Sequence, residues 1–136
     1  MKLTTSRRST IAQGIIADMA AGSTNPNPVL EIYTGTIPAS MGGAITDTLL
    51  ATLTLTTTVA TETDGTITFD PITSDSSADD TGTAGWARVV DRDGGEAVYF
   101  TVSESGNGGD IILNTTSIVT GAPVEITSGT ITIGGA

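Results

Sequence analysis

The residues able to do chemistry are few, and what is missing defines them. The chain has no histidine and no cysteine. That removes the commonest general base, the commonest transition-metal ligand and the strongest nucleophile. Carboxylates remain. Two acidic groups, Asp75/Asp79/Asp80 and Asp91/Asp93/Glu96, offer the hard oxygen ligands that calcium takes, but neither has the spacing of an EF-hand loop. Asp in Gly- and Ser-rich turns more often accepts backbone N–H bonds, and that reading is favoured. Paired acids could also serve a glycosidase, but such a site needs a cleft, usually with aromatic platforms, and aromatics are only 4% of the chain. Gly106-Asn107-Gly108-Gly109 lacks the lysine and following helix of a phosphate loop and is read as a turn. Asn114-Thr115-Thr116 fits the glycosylation pattern, which matters only in a secretory pathway. No catalytic, cofactor-binding or metal-binding residues are assigned, and the chain is read as a non-enzyme.

One cluster stands out. Trp86, Arg88 and Tyr99 fall on one face of a predicted hairpin. Trp, Tyr and Arg dominate binding hot spots, so the cluster reads as an interface anchor. The alternative is a single core tryptophan with Arg88 stacked over Tyr99. The opposite face, with Ala87, Val89, Val98 and Phe100, already carries enough apolar groups to be the core, which tilts the reading to an interface.

Charge restricts the partners. Five basic against fifteen acidic residues give a net charge of −10, and no Lys or Arg occurs between residues 9 and 87. Nucleic-acid binding needs clustered cations to displace phosphate counterions, so no nucleic-acid partner is expected. No stretch is apolar for long enough to cross a bilayer, and no membrane partner is expected. Ser6-Arg7-Arg8-Ser9 faintly resembles a twin-Arg export signal. The segment after it contains Gln13 and Asp18 and is amphipathic, so export is not favoured. The absence of cysteine suits folding in a reducing cytoplasm.

The elements that must position these residues are mostly strands. Threonine makes up about a fifth of the chain, unusually high for a soluble domain, and it favours strands while tolerating water. Residues 5–21 are the one helix candidate, with Ile11, Ile15 and Met19 at i, i+4, i+8 and Ala12 and Ile16 widening the stripe. Thr5 or Ser6 would cap it and Gly22 would end it. Such a helix is marginal alone and must dock on its own sheet or on a neighbour. A linker with two prolines runs to residue 28. Strands are predicted at 29–33, 48–55, 65–69, 84–91, 96–103, 110–113, 117–120 and 124–133. The phase break at Ser128-Gly129 predicts a bulge or a second hairpin. A long acidic loop covers 71–83. The predicted fold is mainly β: a single antiparallel β-sandwich or jelly-roll-like domain of about eight strands with a short N-terminal α-helix. Residues 1–28 form the helical arm and linker, and 29–136 the β domain.

Several runs are distinctive: Leu30-Glu31-Ile32-Tyr33-Thr34-Gly35-Thr36-Ile37-Pro38, Leu49–Leu55, Gly65–Phe69, Ser77–Val89 with its Thr-Gly-Thr-Ala-Gly-Trp-Ala-Arg core, and Leu113-Asn114-Thr115-Thr116-Ser117-Ile118-Val119. In this order they resemble a family of small structural proteins of tailed bacteriophages. The resemblance implies a virion role and no catalytic residues. It implies a capsid decoration, or cement, protein on the capsid surface, made in the host bacterial cytoplasm. Its expected partners are the major capsid protein and itself, as a homotrimer. A neck or tail subunit is the alternative, and a calcium-dependent carbohydrate-binding sandwich a second. The expected interface comprises Arg7, Arg8, Ile11, Ile15 and Met19 on the arm, with Trp86, Arg88 and Tyr99 on the hairpin.

Overall fold

The computed structural model describes residues 1–135. The chain is mainly β, 39% strand and 11% helix, with one N-terminal helix and a curled mixed sheet consistent with a β-sandwich-like domain. Helix α1 (Thr5–Met19) is followed by β1 (Val29–Thr34), β2 (Leu49–Thr54), β3 (Ala60–Thr63), β4 (Thr66–Phe69), β5 (Gly82–Val90), β6 (Glu96–Glu104), β7 (Ile111–Leu113), β8 (Ser117–Ile118) and β9 (Ile126–Thr132). The sheet order is β2-β1-β5-β6-β7-β9-β4-β3, with β8 paired to β5.

The rows across β2, β1, β5 and β6 explain the core. Leu53, Leu30, Val89 and Val98 lie side by side, as do Ala51, Ile32, Ala87 and Phe100. Alternation along each strand sends these residues to one face. The sheet then curls so that Phe69 of β4 meets Phe100 of β6 edge to face at 5.8 Å. Gly129 of β9 lies against Phe69, where a Cβ would come within 2.8 Å of the ring. The bulge expected near Ser128-Gly129 is there: Ile112 pairs with Ser128 and Leu113 with Ile126, so Thr127 is the extra residue.

The structure corrects an all-antiparallel sheet in one place: β6 and β7 run parallel. The intervening loop turns at Gly106 and Gly108, both at positive φ. Gly109 N then donates to Ser103 Oγ, and Thr101 N donates to Asp110 Oδ2. A glycine-rich loop pinned back onto the strand it leaves thus sets the chain off again in the same direction. Strand β3, not expected, pairs with β4 through a tight turn at Asp64 (φ 53) and Gly65 (φ 86). Two successive positive φ angles are what a two-residue turn matched to strand twist demands.

The helix begins at Thr5 as expected and ends at Met19, two residues short of residue 21. Thr4 rather than Thr5 or Ser6 is its N-cap, its side chain accepting from Arg7 N at 3.3 Å, and Ala20 is its C-cap. It docks on its own sheet, against β3, β4 and β6. Its inward face is Ala12 and Met19, fully buried, with Ile15 and Ile16 packed alongside. Ile11 stays 43% exposed. The linker is fastened too. Ser23 N, Thr24 N and Thr24 Oγ1 all donate to Asp93 Oδ1, and Arg92 Nε donates to Asn25 O.

The free side of β2 is closed by the acidic 71–83 segment. Thr54 and Thr73 exchange backbone bonds, Thr52 N donates to Asp75 Oδ2 at 3.0 Å, and Asp79 N donates to Leu50 O. The carboxylate of Asp75 stands where a neighbouring strand's carbonyl would be, and its other oxygen accepts from Ser77 N.

Candidate functional site

The second face of β1-β5-β6 carries the polar and aromatic row. Register places Thr52, Glu31, Arg88 and Tyr99 across it, with Tyr33 beside Trp86 in the next row. Arg88 is the centre. Its Nε donates to Glu31 Oε2 at 2.7 Å and its Nη1 to Glu96 Oε1 at 2.6 Å. Tyr33 Oη donates to Glu31 Oε2 at 2.7 Å and Tyr99 Oη to Glu96 Oε1 at 2.9 Å. One guanidinium and two phenols thus tie two carboxylates across three strands. The indole of Trp86 lies stacked on Tyr33, centroids 4.7 Å apart and 16° between planes, and tilted against Tyr99 at 4.9 Å.

A loop, residues 35–48, covers this face. Trp86 Nε1 donates to Asp47 Oδ2 at 2.9 Å, and Gly42 N donates to Glu96 Oε2 at 3.1 Å. At the loop's root the two strands separate around a bulge. Tyr33 pairs with Trp86 but Thr34 with Ala84, leaving Gly85 unpaired on β5. The carbonyl of Gly35 sits over Gly85, where any Cβ would overlap its oxygen at 1.6 Å. Only glycine admits that approach, so Gly85-Trp86 is a structural pair: the glycine lets the loop in, and the loop covers the indole.

The electrostatics follow from this geometry. Tyr33 is pushed up to about 12, first by burial and then by its hydrogen bond to the Glu31 carboxylate. Burial and Glu96 likewise raise Tyr99. The Glu96 carboxyl is held below its ordinary value by the Tyr99 hydrogen bond, the Gly42 N–H and the Arg88 charge. For Arg88, burial works against the charge, but the Glu31 bond and the charges of Glu31 and Glu96 outweigh it and the net shift is upward. Every member of the network thus has its partner inside the chain.

The structure revises the expected interface at Trp86. The indole is 0% exposed and has no surface to offer a partner while the loop lies over it. The physical reason is the loop, which the strand pattern did not reveal. Arg88 stands over the Tyr33 ring, at 5.7 Å, rather than over Tyr99. Arg88, Glu31 and Glu96 keep side-chain exposures of 19%, 18% and 22%, so the ionic rim meets solvent. Arg7 is exposed, whereas Arg8 lies partly buried, its Nη1 donating to Leu3 O at 2.8 Å. Of the expected helix residues, Met19 is fully buried and Ile15 packs against the core, while Ile11 stays exposed. Ala12 and Met19 share the cluster of Ala87, Val89 and Phe100, so the helix lies on the core-facing side. The helix and the Trp86 cluster therefore sit on opposite faces of the sheet and form no single site.

Sequence reasoning missed Glu96 as the second arm of the network, and Tyr33, Glu31 and Asp47. Alternation placed Glu31 and Tyr33 together, and cross-strand register would have found the rest except Asp47, which comes from irregular chain. The acidic groups behave as turn ligands: Asp91 Oδ1 accepts from Asp93 N and Gly95 N. Asp93 is held below its ordinary value by the Ser23 and Thr24 donors. Among the described residues no three acids converge as a cation site would need. A groove of about 370 Å³ between the linker and β5, lined in part by Pro26, Val29, Val90 and Asp91, holds one carboxylate and no second titratable group.

No family model matches the chain, and neither a curated protein nor a solved structure matches it. Among the described residues no helix is long and apolar enough to cross a membrane.

Proposed function

We propose that the chain is a virion structural protein, a capsid decoration protein that binds the outer shell as a trimer and stabilises contacts between capsomers. The observation that carries this reading is the commitment of its one conspicuous polar constellation to itself. Arg88, Glu31, Glu96, Tyr33 and Tyr99 are joined in one continuous chain of hydrogen bonds, and the network clamps three strands rather than facing a cleft. Such a network stiffens the sheet, which suits a structural part. The resemblance to phage structural proteins points the same way. One of its two most specific runs, Thr-Gly-Thr-Ala-Gly-Trp-Ala-Arg, holds the bulge glycine, the covered indole and the clamp arginine; the other is Leu-Asn-Thr-Thr-Ser-Ile. Binding by such a part comes from shape and multiplicity, because three weak contacts made together replace one strong one. The acidic body keeps copies apart until a specific contact overrides repulsion.

The experiment is to add the purified protein to undecorated shells, then measure co-sedimentation and image the particles. Density tiled over the outer shell, with a raised shell melting temperature, is the expected result. Density in a ring at the neck or along the tail replaces this reading with a neck or tail subunit. Failure to bind any part of the particle overturns both.

A further inference from the structure

The outward side of α1 makes three choices that cost the isolated chain stability. Gly14 lies in mid-helix, exposed, with nothing within 4 Å of where a Cβ would be. It lowers helix stability by about 0.5–1 kcal/mol relative to alanine, and no internal packing requires it. Arg7 stands in the first turn and Asp18 in the last, each the wrong charge for its end of the helix dipole. Ile11, 43% exposed, lies on the same side. At 100° per residue, Arg7, Ile11, Gly14 and Asp18 form one line along the helix, about 16 Å from end to end, and all four are exposed.

That line is self-complementary when reversed. Laid antiparallel on a second copy, Arg7 falls opposite Asp18, Ile11 opposite Gly14, Gly14 opposite Ile11 and Asp18 opposite Arg7. We infer that this face pairs two copies of the chain through a two-fold antiparallel helix contact. Each unfavourable choice is then accounted for. The Ile11 side chain fills the space left by the partner's Gly14. Arg7 meets the partner's Asp18 and the negative end of its helix, and Asp18 meets the positive end. A two-fold interface is the arrangement in which one patch must complement itself, and residues that break local rules together point to a shared constraint outside the isolated fold. The pairing does not rest on a virion role. If the chain also forms trimers on a shell, this contact links one trimer to the next.

A contact the size of one helix face is weak, with a dissociation constant on the order of 0.1–1 mM. The test is sedimentation equilibrium of the isolated protein up to about 1 mM, a range set by that expected weakness. The parent is expected to form dimers, compared with its variants at one fixed ionic strength, because salt screens both the interhelix pairs and the repulsion between two acidic bodies. Arg7→Asp and Asp18→Arg each improve the match to the helix dipole, so each folds at least as stably as the parent by thermal melt. Each nevertheless places like charges in contact and is expected to weaken pairing at least about tenfold. The double exchange restores opposite charges and is expected to recover pairing to within about threefold of the parent. Gly14→Leu should strengthen the helix and abolish pairing. A parent that stays monomeric, a single reversal that pairs like the parent, or a double exchange that stays as weak as the singles overturns the inference. None of these outcomes bears on shell binding, which is measured separately.

Discussion

Trp86 Nε1 donates to Asp47 Oδ2 at 2.9 Å, and this bond joins the most deeply buried side chain of the polar face to a loop that is at most half-buried. No residue of the loop 35–48 is fully buried, while Trp86 beneath it is completely so. Segments with little buried apolar area open at low free-energy cost. Asp47→Ala leaves a buried indole N–H unpaired and is expected to cost about 1–3 kcal/mol. Asp47→Asn retains an oxygen acceptor and should cost less. Trp86 is the only tryptophan, so its emission reports the cover directly. Acrylamide quenching should rise in Asp47→Ala under native conditions, and unchanged quenching would show that the loop does not depend on this bond.

Arg88 holds two carboxylates that lie on different strands. Arg88→Ala leaves Glu31 and Glu96 facing each other without a cation, and the expected loss is about 1–3 kcal/mol in urea unfolding. Arg88→Lys keeps the charge but not the fork that reaches both partners, so most of the loss should persist. A Lys variant as stable as the parent would assign the effect to charge alone.

Tyr33 supplies a pH test. Its folded value of about 12 lies above the ordinary 10.0, so its contribution is complete below pH 10 and is lost as pH rises toward 12. Both tyrosines of the chain are shifted in the same direction. Absorbance titration should therefore show less tyrosinate at pH 10 in the folded protein than in denaturant. Glu31→Gln removes an accepting carboxylate and should bring Tyr33 down. At the acid end the sign reverses: Glu96 is depressed, so its contribution is present above the ordinary carboxylate range and falls away as pH drops through its folded value.

Gly85→Ala is the strongest single prediction for the fold. The added Cβ would overlap the Gly35 carbonyl oxygen, and that backbone oxygen can move only by lifting the root of the loop away from β5, which uncovers Trp86. The expected cost is about 3 kcal/mol or more, read as a lowered denaturation midpoint with increased Trp86 exposure. Gly94→Ala is a control without the overlap, since nothing lies within 4 Å of its Cβ; its positive φ alone should cost about 1 kcal/mol.

The sequence discloses the fold where periodicity is clean. Leu30 and Ile32 against Ala87 and Val89 follow from strict alternation, and the β5–β6 hairpin from Asp93-Gly94-Gly95 between two alternating runs. Strand β3 was legible in principle, because Asp64-Gly65 is a strong hairpin signal, but its short run of Ala-Thr-Glu-Thr has little apolar contrast. The parallel β6–β7 pair was not legible, because it depends on where a glycine loop is pinned by Ser103 and Asp110. The polar face was half legible. Trp86, Arg88 and Tyr99 were placed on one side, but the cover comes from loop residues without periodicity, so an exposed anchor was expected where a roofed one stands. On the helix, Ala12, Ile15, Ile16 and Met19 of the expected stripe face the core, and Ile11 at its edge does not, a distinction that hydrophobicity alone does not resolve.

The closure of the β2 edge has a further consequence. A bare strand edge is a template on which another chain can add its own strand, and sheets grow that way into insoluble ribbons. Here Asp75 and Thr73 occupy the hydrogen-bonding positions along that edge, and a negative charge stands where an intruding carbonyl would have to come. Copies of this protein can therefore be crowded to very high local density, in a cell or on a surface, without their sheets fusing through this edge.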